Sequence, residues 1–321
     1  MLPERRALII GVTGQDGNYL AKALIDQGVE VFGCSRNNLF LKKETDPLSI
    51  SSAVNFTKVD VLNLHSFEEY LHFINPTEIY NLSGISSVAF SFKEPELTHK
   101  TIVSPVKVIL GYLNVKPDVR FFNSCSGDCF GNIAIGAANE QTTFMPLSPY
   151  AEAKCEVFKM VSKARNTEGI NACSGLLFNH ESVLRRGEFF TRKLVDFLIE
   201  KKITDREKRL SVGNVMAIRD WGWSPEYMEA VKIIMVEDIL DDYVIATKTE
   251  TSILELIEFG FKYCGLNFDN AYCVSDKLFR PTEINRSVGD NSKIVNNLGW
   301  KPHTSGKNVI KKMIDFHAGK N

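Results

Sequence analysis

Residues 7–24 read ALIIGVTGQDGNYLAKAL, and the spacing of apolar residues changes once inside that run. Ala7 to Ile10 are continuously apolar, as a strand covered on both faces requires. Tyr19, Leu20, Ala23 and Leu24 then recur at helical spacing. Between strand and helix stands Gly11-x-x-Gly14-x-x-Gly17, with Thr13, Gln15 and Asp16 filling the turn. The glycines permit a tight bend and close approach of a pyrophosphate, whose charge meets the helix N-terminus. The glycine pattern alone is common; flanked by a strand and an amphipathic helix it points to dinucleotide binding.

The same alternation continues outward. Val29 to Gly33 and Val54 to Val59 are strands, separated by a loop rich in Asn, Ser and Lys from Asn37 to Ser52. A helix from Ser66, with Phe67, Tyr70, Leu71 and Ile74 on one face, stops before Pro76, and Glu78 to Leu82 is the next strand. A helix around 98–114, a strand at Arg120 to Asn123, a helix from Ser148 to Thr167 and a strand from Asn171 to Phe178 follow. Such alternation predicts an α/β fold, a doubly wound and mostly parallel Rossmann sheet. Past residue 180 the rhythm gives way to charged, Arg-rich loops, which predicts a dinucleotide-binding domain over 1–180 and a smaller substrate-binding lobe over 181–321. Strand character at Asp242 to Ala246 suggests that segments around 213–250 return to the first sheet.

The 321 residues carry 38 Lys+Arg against 39 Asp+Glu, a formal charge of -1, so no bulk field favours nucleic acid or an anionic membrane. Seven cysteines without a C-x-x-C pair read as free thiols of a reducing compartment. No stretch reaches the length of a membrane span, and cytoplasm is the expected location. His180, His303 and Glu181 build no convincing metal site.

After the second strand, where an NAD site usually has an acid against the ribose, this chain has Cys34, Ser35, Arg36 and Asn37. An arginine fork at Arg36 suits a 2'-phosphate, and the expected cofactor is NADP. Tyr150 and Lys154 lie four apart at the start of a helix and share a face. An ammonium near the phenol would lower its pKa, letting the tyrosine exchange a proton with a sugar hydroxyl while hydride moves to or from the nicotinamide. Ser126, on the strand ending Ser124-Cys-Ser-Gly-Asp128, would bond the same oxygen. Asp128 either takes a proton from a carbon beside a ketone or fixes a loop. The arginines of 185–192, with Arg219 and Arg280, suit a substrate diphosphate.

With these residues in view, the chain resembles the GDP-mannose 4,6-dehydratase family of extended short-chain dehydrogenases. The likeness runs over nearly the whole sequence, through GVTGQDGNYLAKAL, PTEIYNLSGISSV, SPYAEAK, LFNHES with RRGEFFTRK, RDWG at 219–222, YVIAT at 243–247, RPTE at 280–283 and LGWKP at 298–302. It implies that Gly11, Thr13, Gly14, Gln15, Asp16 and Gly17 cradle NADP while Arg36 meets its phosphate. Asp60 and Val61 would lie by the adenine, Leu82 and Ser83 by the ribose, and Tyr150, Lys154 and His180 near the nicotinamide. Asn179, Glu188, Lys193, Arg219 and Arg280 would hold a GDP-hexose. The implied enzyme is a lyase that oxidises GDP-mannose at C4, eliminates water across C5 and C6, and returns the hydride to give GDP-4-keto-6-deoxymannose. Family members are homodimers or homotetramers. On the catalytic strand the family pattern S-T-S-E-L-Y-G becomes Cys125-Ser-Gly-Asp-Cys-Phe-Gly131, which resembles the NADPH-dependent reductases of GDP-4-keto-6-deoxyhexoses. Reductase or epimerase is therefore the alternative reading.

Overall fold

The computed structural model describes residues 5–36, 48–204, 208–269 and 271–319. Most of the expected loop from Asn37 to Ser52, residues 37–47, lies outside the described residues, as does Asn37 itself.

The opening run folds as β1 (Arg6–Ile10) and α1 (Gln15–Ile25), followed by β2 (Glu30–Ser35), β3 (Val54–Lys58), α2 (Leu64–Ile74) and β4 (Glu78–Asn81). Then come α3 (Val88–Lys93), α4 (Pro95–Val115), β5 (Arg120–Ser126), α5 (Pro149–Glu168), β6 (Ala172–Leu177) and β7 (His180–Glu181). The remainder comprises α6 (Phe190–Thr204), β8 (Leu210–Val212), β9 (Ile218–Asp220), β10 (Gly222–Trp223), α7 (Ser224–Ile234), β11 (Tyr243–Ile245) and β12 (Glu250–Ser252). The chain ends through α8 (Ile253–Cys264), β13 (Tyr272–Val274), β14 (Arg286–Ser287), α9 (Ser292–Leu298) and α10 (Lys307–His317).

The main sheet has seven strands in the order β3-β2-β1-β4-β5-β6-β11, and every neighbouring pair is parallel. Alternation along β1 explains the layering. Ala7 and Ile9 pack in the core shared with Leu20 and Leu24 of α1 and Tyr227, Met228 and Val231 of α7. Leu8 and Ile10 face the opposite core, with Phe67 and Leu71 of α2, Val106 of α4 and Val157 of α5. Both faces are covered, so β1 is apolar throughout. The chain winds outward from β1 through β2 and β3, then restarts on the other side at β4, leaving a crevice at the carboxyl ends of β1 and β4, the general ligand position in such sheets.

Three small sheets, β12-β9-β14, β13-β8 and β10-β7, adjoin a separate core in which Leu194 and Leu198 of α6, Leu256 and Phe261 of α8, and Ile310 and Met313 of α10 interlock. Of residues 213–250, α7 and β11 join the large sheet's layers, while β9 and β10 stay with the small sheets. The free edge of β11 is blunted where Val244 N–H donates to Glu140 Oε1 at 2.7 Å. All seven cysteines are free thiols. Among the described residues no helix is long and apolar enough to cross a membrane, and no group of acids, histidines and cysteines could hold a metal ion.

Candidate functional site

A single cleft of about 970 Å³ runs along the carboxyl ends of the main sheet into the small-sheet lobe. At its floor Gly11 has φ +89°, and a Cβ there would lie 2.9 Å from the Leu82 carbonyl oxygen. At Gly17 a Cβ would come within 2.4 Å of the Gly11 oxygen, so α1 approaches the turn only because the position is bare. This cradle presents its backbone to the cleft, the fit a pyrophosphate needs at a helix N-terminus. Thr13, Gly14, Val61, Leu82, Ser83 and the exposed Arg36 also line the cleft. Asp60 does not. It is exposed beside the lining residues Val59, Val61 and Leu62, and its Oδ1 accepts the Leu62 N–H at 3.0 Å in a local turn.

Gln15 and Asp16 line the cleft too, yet their polar atoms face the segment after β6. Gln15 Nε2 donates to the His180 carbonyl oxygen at 3.1 Å, and Ser182 Oγ donates to Gln15 Oε1 at 2.8 Å. The Asp16 carboxylate lies 2.9 Å from His180 Nε2 and accepts from Ser224 Oγ at 2.7 Å. Burial alone would raise the Asp16 pKa; the charge and hydrogen bond of His180, with Ser224 and Gln15, hold it well below the usual carboxylate range.

Helix α5 sets the catalytic group. Ser148 caps it by accepting the Ala151 N–H at 3.2 Å, Pro149 enters at the first turn, and Gly169 closes it in a left-handed conformation. Tyr150 thus stands in the first turn with Lys154 one turn on. Beside them β5 ends at Ser126, whose hydroxyl caps the following 3-10 turn by accepting the Asp128 N–H at 3.2 Å and hydrogen-bonds the Tyr150 phenol. Lys154 is 6% exposed, and its Nζ donates to the Ser124 carbonyl at 2.7 Å, 5.9 Å from the Tyr150 ring centre. The ammonium therefore anchors the end of β5. The expected lowering of the phenol by Lys154 is corrected: burial first, then the negative charge of Asp128, pushes Tyr150 far upward, against the Ser126 bond. Burial also lowers the Lys154 pKa, opposed by Cys125, Cys129 and Asp16.

Across the cleft Arg219, on β9, is 7% exposed. Its Nη1 donates to the Ile218 carbonyl at 2.9 Å. Burial lowers its pKa, while Asp128 and Glu283 favour the cation and Arg280 opposes it. Among the described residues no carboxylate comes within ion-pair distance of it, and a buried guanidinium is costly unless an anion meets it. Asn179, Glu188, Lys193 and Arg280 line the same end. Among the described residues nine Lys and Arg side chains line the cleft against four carboxylates, a local cationic excess in a chain of net charge -1. Sequence reasoning missed Lys93, Asn214, Lys277 and Phe279, which line the cleft as well.

A family model described as GDP-mannose 4,6 dehydratase matches residues 8–313. GDP-mannose 4,6 dehydratase 1 of Arabidopsis thaliana is 34% identical over 325 residues, covering 98% of this chain and 90% of that protein. A solved dTDP-glucose 4,6-dehydratase of Bacillus anthracis in complex with NAD superposes with TM-score 0.82 at 15% identity, covering 98% of this chain and 97% of its own. A Thermus thermophilus UDP-glucose 4-epimerase in complex with NAD gives TM-score 0.84 at 20% identity, covering 98% and 100%. These structures share the fold and hold NAD, and on that finding the NADP expectation is corrected. The reason lies in Arg36: an exposed guanidinium can stack on an adenine face as readily as it pairs with a phosphate, so its presence does not select NADP.

Proposed function

This chain belongs to the GDP-mannose 4,6-dehydratase family, and from that premise we propose how its cleft converts GDP-mannose to GDP-4-keto-6-deoxymannose with NAD. The observation that carries the reading is that Ser126, Asp128 and Tyr150 line the same cleft as the buried Arg219, whose charge Asp128 is near enough to favour. NAD, when bound, accepts the hydride from C4 and gives it back at C6. The glycine turn holds its pyrophosphate, with Arg36 and Val61 toward the adenine, Leu82 and Ser83 by the ribose, and Lys154 and His180 at the far end. Arg219, Arg280, Lys193, Asn179 and Glu188 hold the nucleotide-sugar. The positive charge that oxidised nicotinamide would bring beside Tyr150 favours its phenolate over the neutral phenol of the empty cleft, and in that form Tyr150 takes the proton of the C4 hydroxyl while Ser126 orients that oxygen. Once C4 is a ketone the C5 proton is acidic; Asp128 removes it and passes it to the departing C6 hydroxyl, so that a C5–C6 double bond forms as the C6–O bond breaks and water leaves. The proton that Tyr150 took from the C4 hydroxyl offsets the one C5 gains when hydride is added at C6.

Asp128 is one methylene shorter than the family's glutamate, a shortfall of about 1 Å that can cost on the order of a hundredfold in rate. In D128N, oxidation at C4 should still reduce bound cofactor, seen as nicotinamide absorbance, while release of the dehydrated product stops. In D128E the product rate should equal or exceed the parent's. Unchanged product formation by D128N would remove Asp128 from the mechanism.

The division of labour follows the chain: residues 1–180, rejoined by α7 and β11, serve the cofactor, and most of 181–321 serves the sugar nucleotide. We place the enzyme in the cytoplasm as a homodimer or homotetramer joined through α4 and α5, where Leu97 of α4 and Phe90 of the adjoining α3 are exposed. Light scattering at monomer mass would exclude that assembly.

A further inference from the structure

We propose that His180 is a fixed imidazolium cation behind the nicotinamide end of the cleft, and that it biases the bound dinucleotide toward its reduced form. The inference rests on the reading that this cleft binds NAD.

Both ring nitrogens of His180 face acceptors. Nδ1 lies 2.7 Å from the Phe178 carbonyl oxygen, and Nε2 lies 2.9 Å from the Asp16 carboxylate. A neutral imidazole has one N–H and one lone pair, so either tautomer would set a lone pair against an oxygen at hydrogen-bond distance; only the doubly protonated ring donates to both. The acceptors are held in place. Ser224 Oγ at 2.7 Å and Gln15 Nε2 at 3.2 Å both donate to the other oxygen of Asp16, and the Phe178 N–H is tied to the Ile245 carbonyl of β11 at 3.0 Å. Tyr227 of α7 stacks on the ring at 4.8 Å between centres, presenting the π face that favours a cation. The other charges nearby do not reverse this. Arg185 opposes the imidazolium, but its charge is engaged by Glu181 at 2.6 Å, and Lys154 of α5 draws on the same Asp16. Burial works against the cation and Asp16 outweighs it, leaving the ring's pKa raised.

Position supplies the function. The hydride leaves the same carbon whose hydroxyl Tyr150 deprotonates, so the accepting ring must lie at the end of the cleft lined by Tyr150 and by Leu177 to His180. The oxidised nicotinamide carries a positive charge and the reduced one does not. The imidazolium, 13% exposed at that end, cancels the charge of the Asp16 carboxylate 2.9 Å away, which unpaired would draw the positive oxidised ring and leave the reduced ring unaffected. In a reaction that stores its hydride on the cofactor while water departs, this bias holds the hydride through the slow interval.

Calorimetric titration of the full chain with NAD+ and NADH, in the parent and in H180Q, tests the bias. The parent should bind NADH more tightly, and the preference should fall roughly tenfold in H180Q, equivalent to about 30 mV in the bound two-electron potential. Equal weakening of both forms, or an unmoved ratio, would show that the ring only props the wall and would overturn the inference. Failure of the parent to bind either form would instead overturn the dinucleotide reading. Nitrogen NMR of the unsubstituted protein, with His180 assigned by its loss in H180Q, should find both ring nitrogens protonated at neutral pH. A single protonated nitrogen there ends the proposal whatever H180Q does.

Discussion

The two halves of the cleft are built differently. The dinucleotide half is backbone: one strand, a glycine turn and a helix that follow one another in sequence, with Gly11 and Gly17 left bare so that main chain can approach main chain. The sugar-nucleotide half is side chain: Arg219, Arg280 and Lys193 arrive from β9, from a loop after β13 and from α6, and charge does what backbone does across the cleft. Atoms added to the first half should therefore damage geometry and stability together. Charges removed from the second should damage substrate affinity and leave the fold standing.

At the seam between the halves the largest change is expected. Y150F deletes only the phenolic oxygen, so cofactor binding should persist while kcat falls by about 10² to 10⁴. A kcat within a few-fold of the parent would rule out Tyr150 as the proton carrier. For the backbone half, G17A forces a Cβ to within 2.4 Å of the Gly11 oxygen, and the turn must shift. A stability loss of about 1–3 kcal/mol in denaturant melts, together with weakened NAD binding, is expected; a G17A protein as stable as the parent with normal NAD affinity would break the comparison. On the side-chain half, R219M keeps the length and apolar contact of the arginine without its charge. The dissociation constant for GDP-mannose should rise roughly tenfold to a hundredfold, with Tm unchanged or higher because a buried charge has gone. A fallen Tm with unchanged affinity would make Arg219 structural.

How much of this was legible in the sequence follows the same line. The glycine turn and the grouping of Tyr150, Lys154 and Ser126 could be read because each depends on neighbours a few residues away, and the strand-helix alternation predicted a parallel, doubly wound sheet but not its strand order. The turn-forming use of Asp60 could not be read, because an aspartate after a strand suits a ligand contact and a local turn alike, and only the Leu62 bond reveals the second. Asn214, Lys277 and Phe279 were invisible because β8 and β13, which bring them together, are three residues each and too short for any period to show. Lys154 was assigned a direct effect on the phenol; spacing could show a shared face but not that Nζ reaches the Ser124 carbonyl first.

The smallest expected effect concerns the Asp16–His180 contact, where the halves are stitched. The His180 pKa is raised above 6.5, so its stabilisation is present below that value and is lost as pH rises through the folded-state pKa. The Asp16 pKa is lowered from 3.8, so its stabilisation is present above that value and is lost as pH falls. Thermal melts should thus show a plateau through mildly acidic and neutral pH, with an alkaline decline of roughly 2 °C that H180Q lacks. The same decline in H180Q would assign it to another group.

The central claim is that one cleft oxidises, dehydrates and reduces the same sugar with a cofactor it does not consume. Purified protein incubated with GDP-mannose and a trace of NAD, followed by product mass and by nicotinamide absorbance, tests it most directly. The account predicts complete conversion to a product lighter by one water, with no net accumulation of NADH. Absence of that product from protein shown to bind both ligands, or conversion of a supplied 4-keto-6-deoxy sugar only with stoichiometric loss of reduced cofactor, would contradict it.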